Sequence, residues 1–229
     1  MIGPMNWQVF RDGKLYDLLM ALPLVLWFGN GLVQLRPRLV SEAARILSGA
    51  ADLFIWVQFF ALFAAAVFNL VLVYLLVVRD KPVLRAQGLL PRLAGFVGTF
   101  LGVGILRLPV ASLSLTWQIV AALLVLAGSA ASAVILVRLG KAFSIMPEAR
   151  VLVTSGPYAY ARHPLYAAEL ITILGTAIQF QQPWAGLLAI AVVALQVIRS
   201  IFEEQVLLEA YPAYADYRAR TKRFIPGVI

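Results

Sequence analysis

The sequence predicts an all-α, polytopic membrane protein of about six transmembrane helices, closing with a C-terminal helical hairpin and an amphipathic tail. Three observations carry this. Apolar residues make up 62% of the 229-residue chain and charged residues only 13%, about half the charge of an ordinary soluble domain. The apolar residues fall in runs near the ~20 residues that a helix needs to cross hydrocarbon. The charges lie mostly between those runs, and the mean hydropathy is +0.88.

The runs fall in order. The first, residues 15–35, contains Pro23 and Asn30 and is expected to end at Arg36-Pro37-Arg38. A short amphipathic connector over 39–51 carries Glu42 and Arg45. The second run, 53–78, is aromatic-rich and stops at Arg79-Asp80-Lys81-Pro82. The third, 89–108, holds Gly95, Gly98, Gly102 and Gly104, and the fourth covers 117–139. Residues 165–180 and 184–201 come next, separated only by Gln181-Gln182-Pro183, a link short enough to force an antiparallel hairpin. A charged tail begins at Glu203. Residues 1–137 therefore read as N-terminal membrane helices, and residues 138–229 as a loop, a hairpin and a charged tail.

Lysine and arginine set the orientation. With the N-terminus inside, fourteen basic residues from Arg11 to Arg223 fall on inside segments. Only Arg36, Arg38, Arg45 and Arg107 fall outside. That bias places both termini in the cytoplasm. Residues 1–7 lack the basic start and small-residue cleavage site of a signal peptide, and a bacterial inner membrane is the expected location. The net charge of +8 is read as attraction to anionic headgroups, with no nucleic acid as partner. The absence of cysteine excludes disulfides and thiolate chemistry, and a single histidine argues against a histidine-based metal site.

Gly98-x-x-x-Gly102 allows close helix approach, within the bundle or, alternatively, in a homodimer through Gly98 and Gly102. Asn30, Gln58, Asn69 and Gln118 are expected to bond across helices. Arg199 stands near the end of an apolar helix with Glu203 one turn on, a spacing that makes them neighbours, and with Glu204 beside it. Ionisable groups bordering a bilayer are functional candidates, with snorkelling to the interface as the plain alternative. Upstream, Gly156-Pro157 breaks the chain and Pro164 suits the first turn of the next helix. Arg162 and His163 then sit at that helix's positive end, a place for an anionic group.

These residues carry a resemblance. Gly156-Pro-Tyr-x-x-x-Arg162-His163-Pro164-x-Tyr166, followed by Arg199-x-x-x-Glu203-Glu204, Tyr211, Tyr214, Tyr217 and Arg223-Phe-Ile-Pro226, resembles the isoprenylcysteine carboxyl methyltransferase family and the related phospholipid methyltransferases. The resemblance covers roughly residues 138–228, which implies a catalytic region over 138–229 and leaves residues 1–137 as a wall facing the acceptor or lipid. Ala168 and Lys141 stand where many relatives have Gly and Arg. It implies an enzyme that uses S-adenosylmethionine without a Rossmann fold, and a lipidic or prenylated acceptor drawn from the surrounding membrane lipids. Tyr158, His163, Tyr166 and Glu204, with Arg162, would face the cofactor; Gly156 and Pro157 would shape the loop; Arg199 and Glu203 would orient the acceptor. The implied acceptor is isoprenylcysteine-carboxylate-like. Phosphatidylethanolamine N-methylation or methylation of a small thiol stands as the alternative, and a non-catalytic scaffold or a transporter as the reading from another class.

Overall fold

Each apolar run becomes a helix, and the differences from expectation lie where the helices stop. The computed structural model describes residues 13–225 and 227; residues 1–7, Arg11 and Pro226 lie outside them. The helices are α1 (Lys14–Leu47), α2 (Leu53–Val78), α3 (Leu89–Phe100, continued by a 3-10 segment Leu101–Arg107), α4 (Leu115–Leu139), α5 (Pro164–Ile178), α6 (Trp184–Ala210) and α7 (Tyr214–Arg220). Five of them, α1, α2, α3 with its extension, α4 and α6, are long and apolar enough to span a membrane. The hairpin arm α5, at 15 residues, is about 22 Å long and is the shortest of the six expected arms, and its far end bonds the turn between α3 and α4.

Helix α1 does not end at Arg36-Pro37-Arg38. It runs through Pro23 and Pro37 to Leu47, because each proline removes a single backbone donor, a loss that membrane helices tolerate. The expected connector thus forms its last turns, with Glu42 paired to Arg45 at 3.2 Å. The helix closes where Gly49, at φ +74°, lets the Gly49 and Ala50 N–H groups donate back to Ile46 and Arg45, the pairing that satisfies terminal carbonyls. Helix α2 opens on Asp52, whose side chain accepts from the Ile55 N–H at 2.9 Å. Helix α6 extends nine residues past the expected 201, because Glu203 to Ala210 are mostly good helix formers. Arg199, Glu203 and Glu204 therefore stand inside a helix rather than in a tail.

The chain alternates direction, so one end of the bundle collects the loops 79–88 and 140–163 and the segment after α6. There the Asp80 N–H donates to the Lys141 carbonyl at 2.9 Å, and β1 (Leu84–Arg85) pairs antiparallel with β2 (Glu148–Ala149). At the opposite end Gln181 N–H bonds Pro109 O and Ala111 N–H bonds Gln179 O. A buried ionic network ties the first end together. Asp17 of α1 meets Arg79 at 3.1 Å and Arg150 at 2.8 Å, and Arg150 also meets Glu148 at 2.6 Å. Read from sequence, Arg79 and Arg150 are only topology signals; folded, they bind α1 to the loop that leads to the site.

Helices α4 and α5 approach each other backbone to backbone. A Cβ built at Gly128 would lie 2.5 Å from the Thr172 backbone nitrogen, and one at Gly175 would lie 2.7 Å from the Ala121 carbonyl. Each helix thus offers a glycine to the other's backbone. Gly98 and Gly102 of α3 lie against Leu195 and Val192 of α6 at ordinary contact distance. Asn69 and Gln118 do not bond across helices. Their amides donate to the nearby Ala65 and Leu113 carbonyls, acceptors that need no second helix.

Candidate functional site

The loop after α4 turns at Gly156, whose φ of +61° requires glycine, into a short 3-10 turn, Gly156–Ala159. Pro157 fixes that turn, and its carbonyl accepts from Tyr160 and Ala161. The turn delivers Tyr158, 7% exposed, into the bundle. His163 then caps α5, with Pro164 at the first helical position, as its missing N–H suits.

Two carboxylates on α6 organise the side chains around them. Glu203 accepts from Arg199 Nε at 3.0 Å and from the Tyr166 hydroxyl, and lies 3.7 Å from His163 Nδ1. The Arg199 guanidinium stacks over the Tyr166 ring at 4.9 Å, a cation–π contact, and reaches the Ser144 carbonyl at 3.3 Å. The His163 ring stacks on Tyr166, with centroids 5.3 Å apart. Arg199, Glu203, His163 and Tyr166, named from sequence, thus form one constellation. With Tyr158 and Arg162 they line a cavity at the charged end of the bundle, completed by Phe143, Leu152, Val153, Arg150, Tyr214 and Tyr217.

Glu204 faces elsewhere. It is 2% exposed and gathers Arg162 at 2.9 Å, His163 Nε2 at 3.2 Å, Arg223 at 3.0 Å and Arg218 at 3.5 Å. The anion at the head of α5 is therefore the chain's own Glu204, and Arg162 is held by it and by the carbonyls of Arg218 and Thr221. Backbone joins in: Arg162 N–H bonds Lys222 O and His163 N–H bonds Arg223 O, both at 2.8 Å. Ala168 is buried toward α4, its carbonyl 2.8 Å from where a Gly128 Cβ would stand, so it governs helix packing.

Three features escape the sequence reading. Glu169, one turn beyond Tyr166, accepts from Gln196 Nε2 at 2.9 Å; its signal is that it is the single acid in the run 165–180. Arg150 and Glu148 line the cavity while belonging to the Asp17 network, and nothing local in sequence marks that. Tyr217 donates to the Tyr158 carbonyl at 2.6 Å. Burial raises the Tyr217 phenol to about 12, with the Glu204 carboxylate pushing the same way against Arg162. Burial likewise raises Tyr158 and Tyr214. All three remain protonated donors at neutral pH.

The wall also has unmet demand. Tyr214 Oη and Arg150 Nε are buried without a hydrogen-bond partner among the described residues, and both residues line the cavity. Buried polar atoms of this kind call for a ligand or water. No group of three or more His, Cys, Asp or Glu side chains among the described residues is placed to hold a metal ion.

Fold and site together define an integral membrane protein whose buried charged and aromatic side chains converge at one end of a helix bundle. Residues 116–214, from the first turn of α4 to Tyr214, match the model of the phospholipid methyltransferase family, so this stretch of the chain is similar to that family of membrane methyltransferases. The chain is 41% identical over 78 residues to the cobalt-zinc-cadmium resistance protein CzcN of Cupriavidus metallidurans, covering 33% of this chain and 35% of that protein. It is 38% identical over 78 residues to the nickel-cobalt-cadmium resistance protein NccN of Alcaligenes xylosoxydans xylosoxydans, covering 33% and 36%. The chain thus spans about a third of the length of the curated relatives it matches.

Proposed function

We propose that the protein transfers a methyl group from S-adenosylmethionine to a membrane-partitioned acceptor bearing a carboxylate of the isoprenylcysteine kind. The observation that carries this reading is the Arg199–Glu203–Tyr166 constellation in the wall of a cavity at the charged end of the bundle. The residues present suit the cofactor. Tyr158 and Glu203 offer a ring face and a carboxylate to a sulfonium cation, beside the Arg199–Tyr166 stack. Phe143, Leu152 and Val153 supply an apolar wall for the adenine, and the unpartnered Tyr214 Oη and Arg150 Nε await polar groups. When bound, the cofactor supplies the methyl as an electrophilic carbon.

The chain's own work is alignment and exclusion of water. Arg199 spends one donor on Glu203 and one on Ser144; its guanidinium has five in all, which leaves capacity for an acceptor carboxylate. Such an acceptor is already ionised and needs no base. Glu203 and Tyr166 fix the guanidinium plane from two sides. The family's description as phospholipid methyltransferases favours a second reading, N-methylation of an amine headgroup. His163, between Glu203 and Glu204, or Glu203 itself then takes the proton that the amine must lose. A small-thiol acceptor makes the same demand. The metal-resistance names of the two relatives add no acceptor to this choice.

The gathering of basic loops at one end of the bundle supports a cytoplasmic site with both termini on that side, and a bacterial inner membrane as location. Calorimetry of the purified protein with S-adenosylmethionine or its demethylated product should show stoichiometric binding; an intact sample that binds neither overturns the reading. A radiolabelled-methyl assay against prenylated cysteines, total membrane lipids and thiols then names the acceptor. Label confined to lipid amines replaces the first reading with the second.

A further inference from the structure

Methyl transfer leaves the outer side of the hairpin unused. There a groove of about 810 Å³ runs between Leu170 and Ile171 of α5 and Val193 and Val197 of α6, roofed by Phe224 and Ile225. Its rim carries Arg162, Arg218, Lys222 and Arg223, and its lining contains no acid among the described residues. Glu204, behind the rim, answers Arg162, Arg218 and Arg223 with one carboxylate, so among the described residues the mouth keeps an excess of three positive charges. The Arg218 and Arg223 side chains are 46% and 26% exposed and are open to a further anion. Beyond the groove the same helix faces stay apolar and exposed, through Leu174 at 52% and Ile190 at 68%. An alkyl chain leaving the groove therefore continues onto lipid-facing surface.

We infer that this groove binds one anionic phospholipid, with its headgroup phosphate among Arg218, Lys222 and Arg223 and an acyl chain between α5 and α6. Opposite charge at the mouth and apolar walls below it match an anionic amphiphile. A zwitterionic headgroup would bring its own cation against this rim, and a free phosphate would leave the apolar walls unfilled. The roof is also the segment whose Lys222 and Arg223 carbonyls hold the backbone of Arg162 and His163. A lipid seated beneath it therefore presses residues 218–225 onto the loop that presents His163. This holds whatever the acceptor of the methyl group is.

The test places the full chain in phosphatidylcholine nanodiscs doped with a photoactivatable phosphatidylglycerol, and maps the labelled peptides by mass spectrometry. Labelling should fall on residues 167–197 and 218–225, and be competed by unlabelled phosphatidylglycerol but not by added phosphatidylcholine. Arg218→Gln combined with Lys222→Gln should lower labelling about tenfold or more, with phosphatidylglycerol-dependent protection of residues 218–225 from hydrogen exchange lost in parallel. Val193→Trp, which fills the groove and keeps every cation, should lower labelling as well, and it decides the matter alone if the double variant does not fold. Equal labelling by a photoactivatable phosphatidylcholine overturns the proposal, as does competition by inorganic phosphate, which would mark a small-anion site.

Discussion

Glu203 and Glu204 are adjacent in sequence and do different jobs, and substitution should separate them. Glu203 holds Arg199 and Tyr166 at the cavity wall, so Glu203→Gln should leave the fold intact and lower turnover about a hundredfold or more, as loss of alignment does. Near-normal turnover would remove Glu203 from the proposed mechanism. Glu204 neutralises Arg162, whose side chain is only 10% exposed, so Glu204→Ala should cost about 3 kcal/mol of stability, the usual consequence of stranding a buried charge; thermal unfolding in detergent reads this directly. The phenols give a pH prediction. Tyr217 is raised to about 12 in the folded chain against about 10 unfolded. The stability linked to it is complete below pH ~10 and is lost as pH rises through ~12. In an alkaline absorbance titration Tyr158, Tyr214 and Tyr217 should ionise after the exposed tyrosines. Ionisation of all eight together near pH 10 would contradict the burial. At this scale sequence shows residue type and spacing, which suffice for Arg199 with Glu203. They do not suffice for Asp17 with Arg150, whose partnership spans 133 positions.

Among elements, the decisive contacts are those between α4 and α5. Sequence draws the eye to Gly98 and Gly102 because their spacing is recognisable, yet both have room for a methyl group. Gly128 and Gly175 stand singly in apolar runs and carry no pattern, and there a Cβ would meet backbone. Gly128→Ala should therefore cost about 1–3 kcal/mol or more through overpacking, while Gly98→Ala should be close to neutral; comparable melting shifts for the two would refute the distinction. Helix ends are the least legible feature. Proline and charge both suggest that α1 stops near residue 36, but a long membrane helix absorbs a proline and continues to a glycine that can adopt the left-handed turn. The same shortfall hides the last turns of α6, which set Glu203 and Glu204 on a rigid helix.

Across the whole molecule, hydropathy alone suffices for the architecture, because only helices can carry isolated backbone through hydrocarbon. Charge patterning suffices to group the loops, and the structure collects the same loops at one end. Reporter fusions after residues 112 and 182, both at the opposite end, should read as periplasmic or lumenal; a cytoplasmic signal from either would invert the proposed orientation. What hydropathy cannot show is that α1 is fastened to the site end by Asp17.

The clasp between residues 221–223 and the His163 loop has a consequence for biogenesis. The membrane helices among the described residues all precede Lys222 and Arg223, so a nascent chain presents them for insertion with His163 still unclasped. Closure of this clasp then comes after synthesis of α7 and rests on Lys222 and Arg223. Chains truncated just short of residue 221 should insert and resist alkaline extraction yet lack the proposed turnover, and chains extended through Arg223 should regain it; full turnover by the truncated chains would deny the clasp this role.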